Sequence, residues 1–285
     1  MLVLVTILAA AGWFFSLFAM RGMPPLLFIG ARFLLAGLIL AILAGPQLVR
    51  LDARLILRAI FSGLAMCLHI TLWAEAVLRT SNLGVGAFIL SLGNIMAPVL
   101  GLLLFRIHIK TVTWCSVSIA LAGLACLSIK NGLNFSTADL LFLFSALASS
   151  LYLNLNSRFV SKIAPLPLAA IQLTAVGILS LGLAAAKAEW DIHLDLEVAA
   201  WFLASALIAT SLRYFLLVKA QKAAPIGHAA LIMNLEPVWT AISAVVLLGT
   251  TISGLQLVGC ALIFFALLVH HLPWQRDRCV ARRDR

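Results

Sequence analysis

Three ionisable side chains stand where nearly everything around them is apolar. Glu236 sits in the heptapeptide NLEPVWT (Asn234–Thr240), Arg32 in PPLLFIGARFLLAG (Pro24–Gly37), and Arg213 directly before Tyr214. Pro237, beside the carboxylate, removes a backbone donor and strains the carbonyl four residues back, which opens a helix locally. A freed carbonyl next to Glu236 could bind an ammonium group or a proton. The same residues also read as a structural kink, with Glu236 tied to a neighbouring helix through Arg213. The guanidinium of Arg32 matches a carboxylate in shape, and it could equally latch two helices together. His69 and Trp73 lie one turn apart on one helical face. Together they offer a titratable contact and a ring platform, or simply pack between helices. Asn154 and Asn156 point to different faces, so one at most faces a pathway, where Tyr152 and Gln172 could join it.

Such groups need elements that carry them into an apolar medium. Of the 285 residues, 64% are hydrophobic and 11% charged, against about 45–50% and 25% in soluble domains. A soluble core could not hide that much apolar surface, so the surrounding solvent is a bilayer. The formal charge of +10 comes from basic residues scattered singly between apolar runs. That is a pattern of membrane-protein loops, not of a nucleic-acid surface. The five cysteines (Cys67, Cys115, Cys126, Cys260, Cys279) show no CxxC spacing and mostly fall inside apolar runs. Neither a disulfide framework nor a metal site is expected from them. A phosphate-binding loop, a GxSx nucleophile context and an HExxH helix are all missing, so ATP drive, hydrolysis and a cofactor are not expected either. No filter-like loop or polar ring suggests a channel.

A spanning helix needs about 20 largely apolar residues. Runs of that kind fall at 2–20, 26–45, 55–77, 84–104, 111–129, 138–157, 165–186, 197–217, 226–248 and 252–272. The expected fold is an all-α membrane protein of ten transmembrane helices, with the first run read as a span and not as a cleaved leader. Lys and Arg set its orientation. With the N-terminus inside, the inner loops and tail hold fourteen basic residues and the outer loops four: Arg21, Arg79, Lys130 and Lys187. Both termini are therefore expected on the cytoplasmic side.

Sliding the sequence by 143 positions lays Gly84–Phe105 on Gly227–Leu248, with Ser91 on Asn234 and Asn94 on Pro237. Five spans per half force the two copies to face opposite ways, and the charge bias agrees. Inverted repeats of this kind belong to secondary transporters with a midplane site. The halves are 1–130 and 131–272, followed by a basic tail, 273–285. Ser91, Asn94 and Asn234 then stand at equivalent depths beside Glu236, and Pro98 offers a second kink.

The pair Pro24–Pro25 with Ala31-Arg32-Phe33, and the run YFLLVKAQKAAPIGHAALIMNLEPVWTAI (Tyr214–Ile242), resemble the drug/metabolite transporter superfamily, in its ten-helix EamA-type branch. The resemblance covers essentially the whole chain. Ile107 and Thr250 stand where the family often has glutamate, and Asn94 where it has proline. The resemblance implies an inner-membrane exporter of small metabolites, amino acids first among them; the two halves would work by alternating access about the midplane site, and ten helices can enclose a pathway alone. A broad efflux carrier for cationic drugs, with Glu236 as countercharge, is the alternative. One group of the branch exports aromatic amino acids through a third-helix histidine. His69 fits that place, but Leu68 and Leu72 beside it are aliphatic, so a strictly aromatic substrate is not implied.

Overall fold

A computed structural model describes residues 2–106, 111–128, 136–160, 163–188, 190–216 and 235–271. Among these residues every regular element is helical. In chain order they are α1 (Leu2–Ala19), α2 (Pro25–Ala44), a single turn α3 (Pro46–Val49), α4 (Ala53–Arg79), α5 (Leu83–Phe105) and α6 (Thr111–Ser128). Then follow α7 (Thr137–Val160), α8 (Pro165–Ala186), α9 (Leu196–Leu216), α10 (Glu236–Leu248) and α11 (Gly254–His271). Seven of them (α1, α2, α4, α5, α7, α8 and α9) contain stretches long and apolar enough to cross a bilayer. Shorter apolar stretches lie in α6, α10 and α11. Lys219, Lys222, Asn234, Cys279 and the basic tail lie outside the described residues.

The starts of these helices follow from local chemistry. Prolines occupy the first turns of α2, α3, α8 and α10, where a missing N–H costs no helical bond. Asn82 caps α5 by accepting from the Val85 N–H at 3.2 Å, and Asp195 caps α9 from Val198 at 2.7 Å. At α7 the Ser136 hydroxyl accepts from the Asp139 N–H, while the Asp139 carboxylate accepts from the Ser136 N–H, each at 3.1 Å.

In lipid, apolar burial gives helices little reason to associate, so they pack through small residues that let backbones meet. The closest such contact joins α2 to α8. A Cβ placed on Gly37 would sit 2.6 Å from the Thr174 nitrogen, and one on Gly177 would sit 2.5 Å from the Leu34 nitrogen. Between α6 and α11, a Cβ on Gly123 would come within 2.8 Å of the Gly259 carbonyl. Many of the packing pairs follow one pattern. Pairs α2–α8, α5–α10 and α6–α11 join early helices to late ones. Helix α4 lies on α7 and α8 as α9 lies on α1 and α2, and α5 lies on α7 as α10 lies on α1. Exchanging the first set of helices with the second leaves these pairs unchanged.

Helices α5 and α10 also end alike. Each stops at a residue in the left-handed region, Arg106 (φ 54°) and Gly249 (φ 59°), whose N–H turns back to carbonyls of the last turn. The two positions are 143 apart, the same shift that aligns their sequences. Glycine suits this conformation and arginine does not.

Two stability tests follow from these backbones. Gly177→Ala should lower the melting temperature of detergent-purified protein by a loss of about 1–3 kcal/mol, as overpacking does. Gly182→Ala on the same helix, with nothing within 4 Å of its added carbon, should leave melting unchanged. Arg106→Gly should raise stability by about 1 kcal/mol, since it relieves the left-handed cap; unchanged melting would show that the arginine side chain compensates.

Candidate functional site

The first helix presents Gly12, Trp13 and Ser16 to two charged clusters. The indole Nε1 of Trp13 donates to Glu236 Oε1 at 3.2 Å, and Arg213 reaches the other carboxylate oxygen, NH2 to Oε2, at 3.3 Å. The two charged side chains are only 24% and 21% exposed. Glu236 stands in the first described turn of α10. Pro237 stands in the first turn of α10, where it fits a helix start. The residues ahead of Leu235 lie outside the described set, as does a kink placed there. Helix α5, for its part, runs unbroken past Pro98.

Trp13 ties this pair to the aromatic wall. Its ring meets Trp73 edge-on at 5.3 Å and lies tilted over Phe142 at 5.7 Å. One turn before Trp73, His69 Nδ1 contacts the Ser145 hydroxyl at 2.9 Å and carbonyl at 3.1 Å, while that hydroxyl donates to the His69 carbonyl at 2.8 Å. One nitrogen of the imidazole is thus occupied in joining α4 to α7.

Arg32 has a different setting. It is 6% exposed, with Nε donating to Thr210 Oγ1 at 2.5 Å and NH1 to Ser16 Oγ at 2.6 Å. Phe28 and Phe33 flank it, their ring centres 5.6 and 5.5 Å from the guanidinium carbon. Among the described residues no carboxylate pairs with it. Thr210 reaches Arg32 from an unusual stretch: Ser205–Leu212 of α9 is wound as a π-helix. There the Thr210 and Ser211 hydroxyls each bond the carbonyl five residues back at 2.9 Å. Such winding is rare and recurs at functional sites. Arg213, next in the chain, carries a buried Nε with no partner.

The remaining polar candidates separate into two kinds. Gln172, 3% exposed on α8, gathers three helices: it donates to Ser62 at 2.9 Å and to Asn156 at 3.0 Å, and accepts from the Tyr152 hydroxyl at 3.2 Å. Asn154 turns to the other face, donating to the Ala97 carbonyl of α5 at 2.8 Å. Ser91 bonds its own helix, donating to the Phe88 carbonyl at 2.6 Å. Asn94 is exposed, and Asn234 lies outside the described residues. Glu75 and Arg79 form an i,i+4 pair at the exposed end of α4. The structure thus brings together Glu236, Arg213 and Trp73 through Trp13, with Arg32 on the same helix α1. It leaves Ser91 and Asn154 on backbone partners.

A sequence reading passes over Ser16, Thr210 and Ser145, because lone hydroxyls in apolar runs look like small packing residues. The spacing of Ser16 three residues after Trp13, on one face of α1, is the signal that could have found it.

A model of the EamA-like transporter family matches the chain twice, over residues 1–129 and 136–270. No curated protein matches the sequence. A crystal structure of another protein shares the fold, with a TM-score of 0.67 at 17% identity over 96% of this chain and 98% of that one.

The ion pair can be tested by double substitution. Arg213→Leu alone strands a carboxylate in an apolar bundle and should cost on the order of 2 kcal/mol, below the fully buried range because both groups keep some exposure. Arg213→Leu combined with Glu236→Leu should recover most of that loss in thermal unfolding. Equal damage from the single and double variants would remove the pair as a structural unit.

Proposed function

The chain belongs to the EamA-like transporter family, and we propose that it exports small metabolites, amino acids foremost, across the plasma (inner) membrane. It is a multi-pass membrane protein, and membership in the family makes it a transporter of small molecules. The observation that carries the finer reading is the carboxylate of Glu236, held between Arg213 and the Trp13 indole inside an apolar bundle. An ionised pair in lipid is expensive and marks substrate or ion pathways. Here the carboxylate offers a countercharge to a substrate ammonium, Trp13 and Trp73 offer faces for an apolar side chain, and His69 stands one turn away.

In this reading ten spans form two inverted halves, 1–130 and 131–272, with both termini cytoplasmic. Three observations support it. The family model matches once in each half. The pairs α2–α8, α5–α10 and α6–α11, with the contacts of α4 and α5 on α7 and α8 matched by those of α9 and α10 on α1 and α2, survive exchange of the halves. The left-handed caps at Arg106 and Gly249 recur at the repeat shift. Transport then proceeds by rocking the halves about the midplane, with Glu236 released from Arg213 when substrate takes its place. One copy of the chain encloses the pathway. A cationic drug fits less well, because Glu236 already has a cation and a second arginine stands nearby.

Counterflow in proteoliposomes preloaded with an amino-acid panel tests the proposal. Wild-type protein should exchange at least one amino acid, and Glu236→Gln should lower that exchange by tenfold or more. Exchange that survives the substitution would make Glu236 structural. Exchange confined to cationic drugs would replace the amino-acid reading.

A further inference from the structure

Inside the helix bundle the charges do not balance. The chain has ten acidic residues, and Glu236 alone among them falls away from the ends of the expected spans. Its two oxygens are taken by Arg213 and Trp13. Two arginines lie away from the ends of the expected spans: Arg213, which Glu236 pairs, and Arg32, which it does not. The Ser16 and Thr210 hydroxyls orient the Arg32 guanidinium but cannot neutralise it. A buried charge without a counterion is among the costliest arrangements in an apolar medium.

Two further observations point the same way. The Nε and NH1 nitrogens of Arg32 are taken by Thr210 and Ser16, while NH2 bonds no described group; it lies beside Gly12, where an added Cβ would stand 3.8 Å from it and 2.9 Å from the Ala209 methyl. The Nε of Arg213 is buried and unpartnered, and Arg213 follows by three residues the Thr210 that bonds Arg32. Two like charges near each other, each with a spare donor, are relieved together by a single anion. Planar guanidinium donors suit a carboxylate best.

We infer that Arg32, cradled by Ser16 and Thr210 and assisted by the spare Nε–H of Arg213, seats the carboxylate of the transported molecule. The cargo is therefore a carboxylic acid, and a bare amine or a quaternary cation is excluded from this seat. Trp13 and Ser16 are three residues apart on α1, about 4.5 Å along its axis. A zwitterion can thus place its carboxylate at Arg32 and its ammonium toward Glu236, with Trp13 alongside. The inference rests on the transport reading above for its cargo, but its chemistry is testable without transport.

The test is thermal unfolding of the purified full chain with hexanoate or benzoate, each beside its neutral amide. In wild type the acids should raise the melting temperature by a few degrees and the amides should not. Arg32→Gln should abolish the shift, and Arg32→Lys and Thr210→Val, which keep the charge but lose the fork or its cradle, should weaken it. The two milder variants decide the matter if Arg32→Gln does not fold. An equal response to acid and amide, no response at all, or an acid shift that survives in every variant overturns the inference. Counterflow of leucine against leucinamide separates it from the reading beneath it. Leucine and leucinamide exchanging equally well would leave the transporter and remove the carboxylate seat. An acid-specific shift without leucine exchange would keep the seat and remove the amino-acid cargo.

Discussion

Charge placed in lipid has to be answered locally, and that constraint organises this bundle. Glu236 cannot stay ionised in an apolar setting without donors, and it draws them from two other helices, α1 through Trp13 and α9 through Arg213. Those bonds fix the rotation of α1. Once Trp13 faces Glu236, Ser16 faces Arg32, and α2 is brought to the same junction. The π-wound stretch of α9 serves the same purpose from the other side. It turns Thr210 onto Arg32 and sets Arg213, three residues on, toward Glu236.

The polar groups elsewhere differ in what they leave free. Gln172 uses both ends of its amide on Ser62, Asn156 and Tyr152, and His69 exchanges bonds with Ser145. Side chains whose hydrogen bonds are spent on neighbouring helices hold α4, α7 and α8 in fixed relation; in lipid this does the work that burial does in water. Arg213 instead keeps a spare donor, its buried Nε, and Arg32 spends its Nε and NH1 on two hydroxyls without meeting a carboxylate among the described residues. The contrast separates framework from site more sharply than residue type does, since asparagine, glutamine and serine occur in both.

Much of the framework was legible in the residues themselves. Long apolar runs are a strong signal: among the described residues seven of the runs hold helices long and apolar enough to cross a bilayer, and three hold shorter apolar helical stretches. The meeting of Arg213 and Glu236 could also be foreseen, because a lone acid and a nearby lone base in lipid have few alternatives. Other features had no such signal. Helices apolar on every side carry little record of which face turns inward. The partnership of Arg32 with Thr210, 178 residues away, was therefore not readable, nor was that of His69 with Ser145. The π winding of Ser205–Leu212 was invisible for the same reason: Ser, Ala, Leu, Ile and Thr suit an ordinary helix equally well.

The glycine contacts carry a mechanical meaning. Backbone meets side chain or backbone in each of the pairs α2–α8, α5–α10 and α6–α11: at Gly37 and Gly177 in the first, at Gly84 against Ala241 in the second, and at Gly123 against Gly259 in the third. Surfaces so close cannot slide without climbing over one another, because packed interiors do not deform smoothly. Three such contacts resist shear between the early helices and the late ones. If the two sets of helices move as units, they pivot at these contacts, and residues far from them sweep the widest arc.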